Sequence, residues 1–423
     1  MKFRVGRDVL GDAVAWVARA LPTRPVVPAL SGLMLEADAD ELTLSCFDYE
    51  VSARIHIPAE IGEPGIALVP GRLLAEIARS LPSVDVEVAD VGEMLMLTCG
   101  SAEFALVSLP LEDYPKLPEL PPAVGTVDGG ELAIAAGQVV PSASHDDTLP
   151  MLTGVCLDFD GTELTLAATD RYRMAVRMLA WEPTDPSMHA SALVPAKTLA
   201  DVARTMTTRR PVTIGLGKPH AEAGRPADGL ISFESGGRRL TTRLIGAEFI
   251  RYASRFPKGF EARADLPAAA FTEAVRRVSL VADRTTPVQL AFRRNAVVIE
   301  AQSDGRARAV ESVPVGFAGA DQVISFNPHY LLDGLAAAVL TGQAKAGPAG
   351  DAPSAAAGQI RLQFTSSAKP ALITWVAGDG SAGDGSAGDD EPGRRTADSA
   401  EDEPDRPAEF RYLVVPLRAA VAS

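Results

Sequence analysis

The sequence predicts an α+β chain made of three similar domains, and three observations carry that prediction. Helical and strand periodicities are both present. The order helix, strands, helix, strands occurs three times in succession. At 423 residues the chain is also too long for one compact core, which sets the expectation at two to four domains.

The first pass opens with RDVLGDAVAWVARA, residues 7–20, whose apolar positions Val9, Leu10, Val14, Val17 and Ala18 follow a helical period. Pro22 and Pro25 end it. Alternating strands follow in LSGLMLEADADELTLSCFDYEVSARIHI, and VPGRLLAEIARSLP from Val69 to Pro82 reads as a strand end feeding a short helix. The strands VDVEVAD, EMLMLTC and AEFALVSLP then lead to the proline-rich EDYPKLPELPP, a linker.

The second pass starts with the helical ELAIAAGQVVPSAS. Val155, Leu157 and Phe159 alternate on a strand, Asp160-Gly161 marks a hairpin turn, and Leu164–Ala168 alternates again. VPAKTLADVARTM, from Val194 to Met206, matches VPGRLLAEIARSL in residue type, and VTIGLG, LISFES and RRLTTRLIG follow as strands. The third pass runs from LPAAAFTEAVRRVSLVA through VQLAFRRNAVVIEAQ and RAVESVPVGF to the helix in SFNPHYLLDGLAAAVL, then IRLQFTS and YLVVPLR. The repeated helices begin near Gly71, Ala196 and Pro328, spacings of 125 and 132 residues. A period of that length means similar domains rather than a solenoid. The boundaries expected are 1–121, 122–260 and 261–423, with mobile inserts at 341–358 and 377–409.

Those inserts are Ala/Gly/Pro-rich and Gly/Ser-rich to acidic, so they bury too little apolar surface to offset chain entropy. The second holds eleven Asp/Glu against three Arg, over half of the net charge of −15. That overall charge excludes a general polyanion binder but not a local basic face. Cys46, Cys99 and Cys156 lie far apart with no metal-ligand spacing, and the five His are scattered. No metal or other cofactor is expected. With no signal peptide or membrane span to be read, a cytoplasmic protein without a membrane partner is expected.

The words LTGV and ATDRYRMA in the second domain resemble the signature of the bacterial sliding clamp, the β subunit of the replicative DNA polymerase. The family usually carries Gly where this chain has Arg171, and Phe-Pro where it has Phe249-Ile250. The resemblance extends over nearly the whole chain. It implies three clamp domains, a head-to-tail ring homodimer around double-stranded DNA, and helices lining a central channel. It also implies partners (the DNA polymerase and clamp-loader subunits) that bind through short linear peptides, and no catalysis by the clamp itself.

Basic residues recur at matching helix slots. Arg72 and Arg79 are two turns apart, as are Lys197 and Arg204, so each pair shares one face. Arg7, Arg19, Arg276 and Arg277 sit on the opening helices of the first and third domains. Such a face suits a phosphate-lined channel, and Arg24 matches a family Arg that touches DNA. In the loop before LTGV, His145 stands beside Asp146 and Asp147, which repel phosphate.

Carried over by position, the family's peptide cleft falls on Leu152, Thr169, Arg171, Tyr172, Arg173, Met174, Asn327, Tyr330, Val415, Pro416, Leu417 and Arg418. The ring interface falls on Phe104 and Leu106 on one side and Leu280 and Val281 on the other. Two other readings are weighed. One is an enzyme using His145, Asp146, Asp147 and Asp170. The other is a clamp-fold paralogue serving a specialised repair assembly rather than the replicative polymerase.

Overall fold

The computed structural model describes residues 1–206, 210–217, 229–283, 286–303, 306–346, 358–376 and 409–417. The expected insert 377–409, except Glu409, lies outside the described residues, as does most of 341–358.

Each repeat contributes the same eleven elements in the same order. The first holds β1 (Lys2–Val5), α1 (Arg7–Val17), β2 (Gly32–Asp38), β3 (Glu41–Phe47), β4 (Val51–Pro58), β5 (Glu60–Glu63), β6 (Gly65–Pro70), α2 (Gly71–Ser80), β7 (Val86–Val91), β8 (Met94–Cys99) and β9 (Ala102–Val107). The second holds β10 (Ala123–Asp128), α3 (Gly129–Val139), β11 (Gly154–Asp160), β12 (Glu163–Thr169), β13 (Arg173–Ala180), β14 (Glu182–Pro183), β15 (His189–Pro195), α4 (Ala196–Thr205), β16 (Pro211–Leu216), β17 (Leu230–Ser235) and β18 (Arg238–Arg243). The third holds β19 (Ala262–Pro267), α5 (Ala268–Ser279), β20 (Val288–Arg293), β21 (Ala296–Ser303), β22 (Ala307–Pro314), β23 (Gly316–Ala318), β24 (Gln322–Phe326), α6 (Pro328–Ala346), β25 (Gln359–Phe364), β26 (Ala371–Val376) and β27 (Phe410–Val414).

The helices obey their patterns. In α2 the buried set Leu74, Ala75, Ile77 and Ala78 occupies one face while Arg72 and Arg79 stay exposed. In α4 the buried set is Thr198, Leu199 and Val202, with Lys197 and Arg204 outside. Within each repeat the two helices pack on each other, α1 on α2, α3 on α4 and α5 on α6. The composition of Thr341–Ala346 suggested a loop, but these residues complete α6. Ala, Thr, Gln and Lys supply no helix breaker there, and the one Gly342 is tolerated at a cost of about 1 kcal/mol.

The chain falls into two compact units, Met1–Leu166 with Leu179–Phe249, and Ala167–Met178 with Ile250–Ser423. In the first unit, β5-β1-β7-β8-β9 form one antiparallel sheet. A second runs β14-β10-β16-β17-β18-β4-β3-β2-β6. It joins the repeats where β18 pairs with β4, Leu240 opposite Ala53. In the second unit β13-β27-β26-β25-β19-β23 are consecutive strands of a longer sheet that begins β15-β11-β12, and β22-β21-β20-β24 form another. Here β13 pairs with β27, Met174 opposite Leu413.

One rule underlies these pairings. Numbering the strands 1 to 9 within a repeat, strand 4 of one repeat pairs with strand 9 of the next, as β4 with β18 and β13 with β27. Strands 5 and 6 end a sheet in every repeat. That leaves β9 and β22, a strand 9 and a strand 4, at sheet ends with one neighbour each among the described residues. No described helix is long and apolar enough to cross a membrane.

Candidate functional site

The signature loop Thr169–Arg173 joins β12 to β13 and is fixed by its own side chains. Thr169 Oγ1 donates to the Arg173 carbonyl at 2.6 Å and accepts from the Arg171 N–H at 3.1 Å. Asp170 Oδ1 accepts from the N–H groups of Tyr172 and Arg173, both at 3.0 Å. These bonds are the short-range competition with regular structure that Thr and Asp bring to turns. They hold Arg171 at φ +79°, the left-handed region. A non-glycine residue there costs about 1–2 kcal/mol, so the Gly usual in the resembling family is the unstrained choice. Arg171→Gly is therefore expected to raise unfolding stability by about 1 kcal/mol. Urea denaturation checks this, and an unchanged or lower midpoint would contradict it.

The Arg173 side chain is 9% exposed and sits at the centre of a polar cluster. Its Nε donates to Asp170 Oδ2 at 3.0 Å, and one terminal nitrogen donates to Asp333 on α6. Its guanidinium lies 4.6 Å from the centre of the Tyr330 ring, a cation–π contact. Burial opposes the Arg173 cation, but Tyr412, Asp333 and Asp170 more than offset this and lift its pKa above the ordinary arginine value. The Tyr412 hydroxyl donates to the Tyr330 carbonyl at 2.7 Å, and burial pushes its own pKa up. Close packing makes this possible: a Cβ added to Gly334 would stand 2.4 Å from the Tyr412 ring.

Asn327 and Pro328 start α6. Asn327 Oδ1 accepts from the His329 N–H at 2.9 Å and the Tyr330 N–H at 3.4 Å, an N-cap with Pro at the first helical position. This places Tyr330 against Tyr172, the rings stacked at 6.1 Å between centres. The chain end closes the arrangement: Val415 N–H donates to the Tyr172 carbonyl and Leu417 N–H to the Ser325 carbonyl, both at 2.8 Å. The result is a small apolar and aromatic surface, with Tyr172 52% exposed and Leu417 38% exposed, over a rigid polar base.

Most residues expected to wall a cleft thus meet in the second unit. They divide by role. Arg171, Tyr172 and Leu417 are exposed and Tyr330, Val415 and Asn327 half-buried, whereas Thr169, Arg173, Met174 and Pro416 are buried and shape the surface from beneath. Leu152 is a buried residue of the first unit, and Arg418 lies outside the described residues. Asp333 and Tyr412 were not anticipated. Asp333 follows Tyr330 by three residues on one helix, a neighbour spacing that a search for Arg partners finds.

A second site lies wholly in the first unit. Trp16, Arg19, Leu21, Arg24, Asp48, Arg72, Lys197, Asp201 and Thr205 are among the residues lining a cleft of about 490 Å³. Of the expected DNA-binding residues, it gathers Arg24, Arg72 and Lys197 and adds Arg19. Its two carboxylates are engaged, Asp48 with the Glu50 and Val51 N–H groups and Asp201 with Arg204 at 2.8 Å. Arg72 donates to the Leu21 and Pro22 carbonyls, so it is aimed as well as charged.

The other expected contacts are differently occupied. Arg7 is half-buried with all three nitrogens engaged, donating to the Leu81 and Arg79 carbonyls at the end of α2 and to Asp8, whereas Arg72 uses one terminal nitrogen, so Arg7 caps that helix instead of presenting a charge. Arg204 is tied to Asp201, Arg276 to Glu273 and Arg277 to Glu311. Arg79 is exposed and is not among the residues lining the cleft.

At the suspected interface, Leu280 is 81% exposed and Val281 half-buried at the end of α5. Phe104 is half-buried on β9. Leu106 is 1% exposed within the chain, because the β9 alternation turns it into the core and leaves Val107 outside at 57%. Asp146 Oδ1 accepts from the Thr148 N–H and hydroxyl, a local turn, and Asp170 belongs to Arg173. Burial pushes the Cys46 and Cys156 thiols up to about 12, so both stay protonated.

Comparison with known proteins agrees with this architecture. Three family models match in order: the DNA polymerase III beta subunit N-terminal domain over residues 1–118, its central domain over 126–250 and its C-terminal domain over 253–343. The chain is 45% identical to the beta sliding clamp of Streptomyces coelicolor, covering 99% of each chain. It is 42% identical to the beta sliding clamp homolog GriR of Streptomyces muensis, over 79% of this chain and 88% of that one. The solved DNA polymerase III beta subunit of Pseudomonas aeruginosa shares the fold at a TM-score of 0.80 and 23% identity, covering 99% of this chain and 100% of that one. The chain therefore belongs to the DNA polymerase III beta subunit family, the beta sliding clamps.

Proposed function

We propose that two copies of this chain close head to tail around duplex DNA and hold a DNA polymerase and other replication or repair proteins on it. The observation that carries this reading is the strand rule. Strand 4 pairs with strand 9 between successive repeats, and among the described residues β9 and β22 are the one such pair left open. A second copy supplies both missing partners at once, and a closed dimer leaves no such edge exposed. Leu280, Phe104 and Val107 lie beside those edges as apolar contacts.

Within this reading the basic cleft meets phosphates, and the Tyr172–Tyr330 surface receives an extended peptide with apolar anchors. The chain acts without catalysis of its own. It raises the effective concentration of a bound enzyme at its template.

The DNA part is tested by salt dependence. Replacing Arg24, Arg72 and Lys197 together by Ala is expected to lower the slope of log affinity against log salt by about 2.7, at about 0.9 per phosphate contact. Fluorescence anisotropy on a short duplex reads the slope. An unchanged slope would remove this cleft from the DNA path.

A further inference from the structure

We propose that Arg171 is a specificity-determining residue that selects partner peptides carrying an acidic side chain beside their apolar anchors. The inference rests on the peptide-binding reading above. Three observations on the second unit point to it.

First, the loop forces an arginine into a left-handed backbone conformation at φ +79° that glycine would adopt freely. The matching loop of the first repeat holds Tyr49 at φ +74° in the same way, so the conformation belongs to the loop, and the choice of arginine over the unstrained glycine is what calls for a role. The hydrogen bonds from Thr169 and Asp170 hold the loop here.

Second, the Arg171 side chain is exposed and has no ion pair among the described residues. Its neighbours contrast with it. Arg173 holds Asp170 and Asp333, and Arg177 holds Glu409. Asp170 is turned to other donors, Oδ1 accepting from two backbone N–H groups and Oδ2 from Arg173. Third, this cation stands next to Tyr172, whose ring stacks on Tyr330 at the exposed surface.

A bare guanidinium at the rim of an aromatic surface favours a carboxylate through complementarity, which acts on selectivity and association rate more than on total affinity. A linear peptide with Asp or Glu near its Leu and Phe anchors is the matching occupant. A peptide with only neutral flanks uses the same surface without this gain.

The test uses the full chain and two sets of fluorescent peptides with the same anchors. Asp stands in turn at each flanking position in one set and Asn in the other. The wild type is expected to bind at least one Asp peptide about three- to fivefold more tightly than its Asn counterpart at low salt, and to lose that preference at high salt. Arg171→Gly is expected to lose the preference and bind Asp and Asn peptides alike, and Arg171→Lys to keep part of the preference. Equal binding of Asp and Asn peptides by the wild type overturns the proposal, as does a preference that survives in Arg171→Gly. Binding of the Asn peptides shows that the surface itself works. If no peptide binds the wild type, the peptide-binding reading falls and this proposal with it.

Discussion

Replacing Arg173 by Met is expected to cost about 2–4 kcal/mol of unfolding free energy and at least tenfold in peptide affinity. Removing one member of a buried ion pair strands the other, at about 3–5 kcal/mol when both are fully buried. Here Asp170 is 11% exposed but Asp333 is 44% exposed, so water recovers part of the loss. Met keeps the volume and the apolar contact with the Tyr330 ring but loses the cation–π attraction. Asp170 then carries an unpaired charge under the loop that orients Tyr172. Arg173→Lys keeps the charge but not the fork that reaches both carboxylates, so it should fall between Met and wild type in both measurements. Chemical denaturation and peptide titration read the two quantities. A Met variant as stable as wild type would mean that the cluster does not set the loop.

Leu280→Asp is expected to leave the folded chain intact and break the dimer. Leu280 is 81% exposed, so the substitution removes little within one chain and should change its stability by no more than about 0.5 kcal/mol. It stands at the end of α5, which packs on β22, one of the two open strands. In the proposed ring this leucine is covered, and a carboxylate there loses apolar contact and gains a desolvation cost. Loss of a central anchor weakens such an interface by about 2–4 kcal/mol, or about 30- to 1000-fold. Sedimentation across a concentration series separates monomer from dimer. A variant that dimerises like the wild type would place the interface elsewhere.

The repeat was legible because each slot keeps its residue types: VPGRLLAEIARSL and VPAKTLADVARTM fold to the same strand–helix pair, β6–α2 and β15–α4. The opening strands β1, β10 and β19 escaped notice, since KFRV is only four residues long and AVGTVD and ARADLP mix charge with small residues. For β26, ALITWV, an apolar run gave no alternation because its first four residues are all buried.

The candidate site shows the same division. The start of α6 near Pro328 was legible in SFNPHYLLDGLAAAVL, and the basic helix residues stood out by recurrence. What a one-dimensional reading missed was commitment. Arg7 and Arg24 look alike in sequence, but only folding reveals that Arg7 is spent on the carbonyls of α2. Leu106 and Val107 differ by a single step along β9, and the pleat decides which one is core.

A ring that encircles DNA is held by topology, and threading distinguishes it from a protein that only touches the duplex. Protein is first allowed to slide onto a linear duplex with biotin at both ends. Streptavidin then blocks the ends, and the complex is washed in high salt, which removes phosphate contacts. Protein is expected to stay on the blocked duplex through the wash and to leave when a restriction enzyme cuts it. Loss during the wash, with both ends still blocked, would mean that the chain only touches DNA and does not surround it.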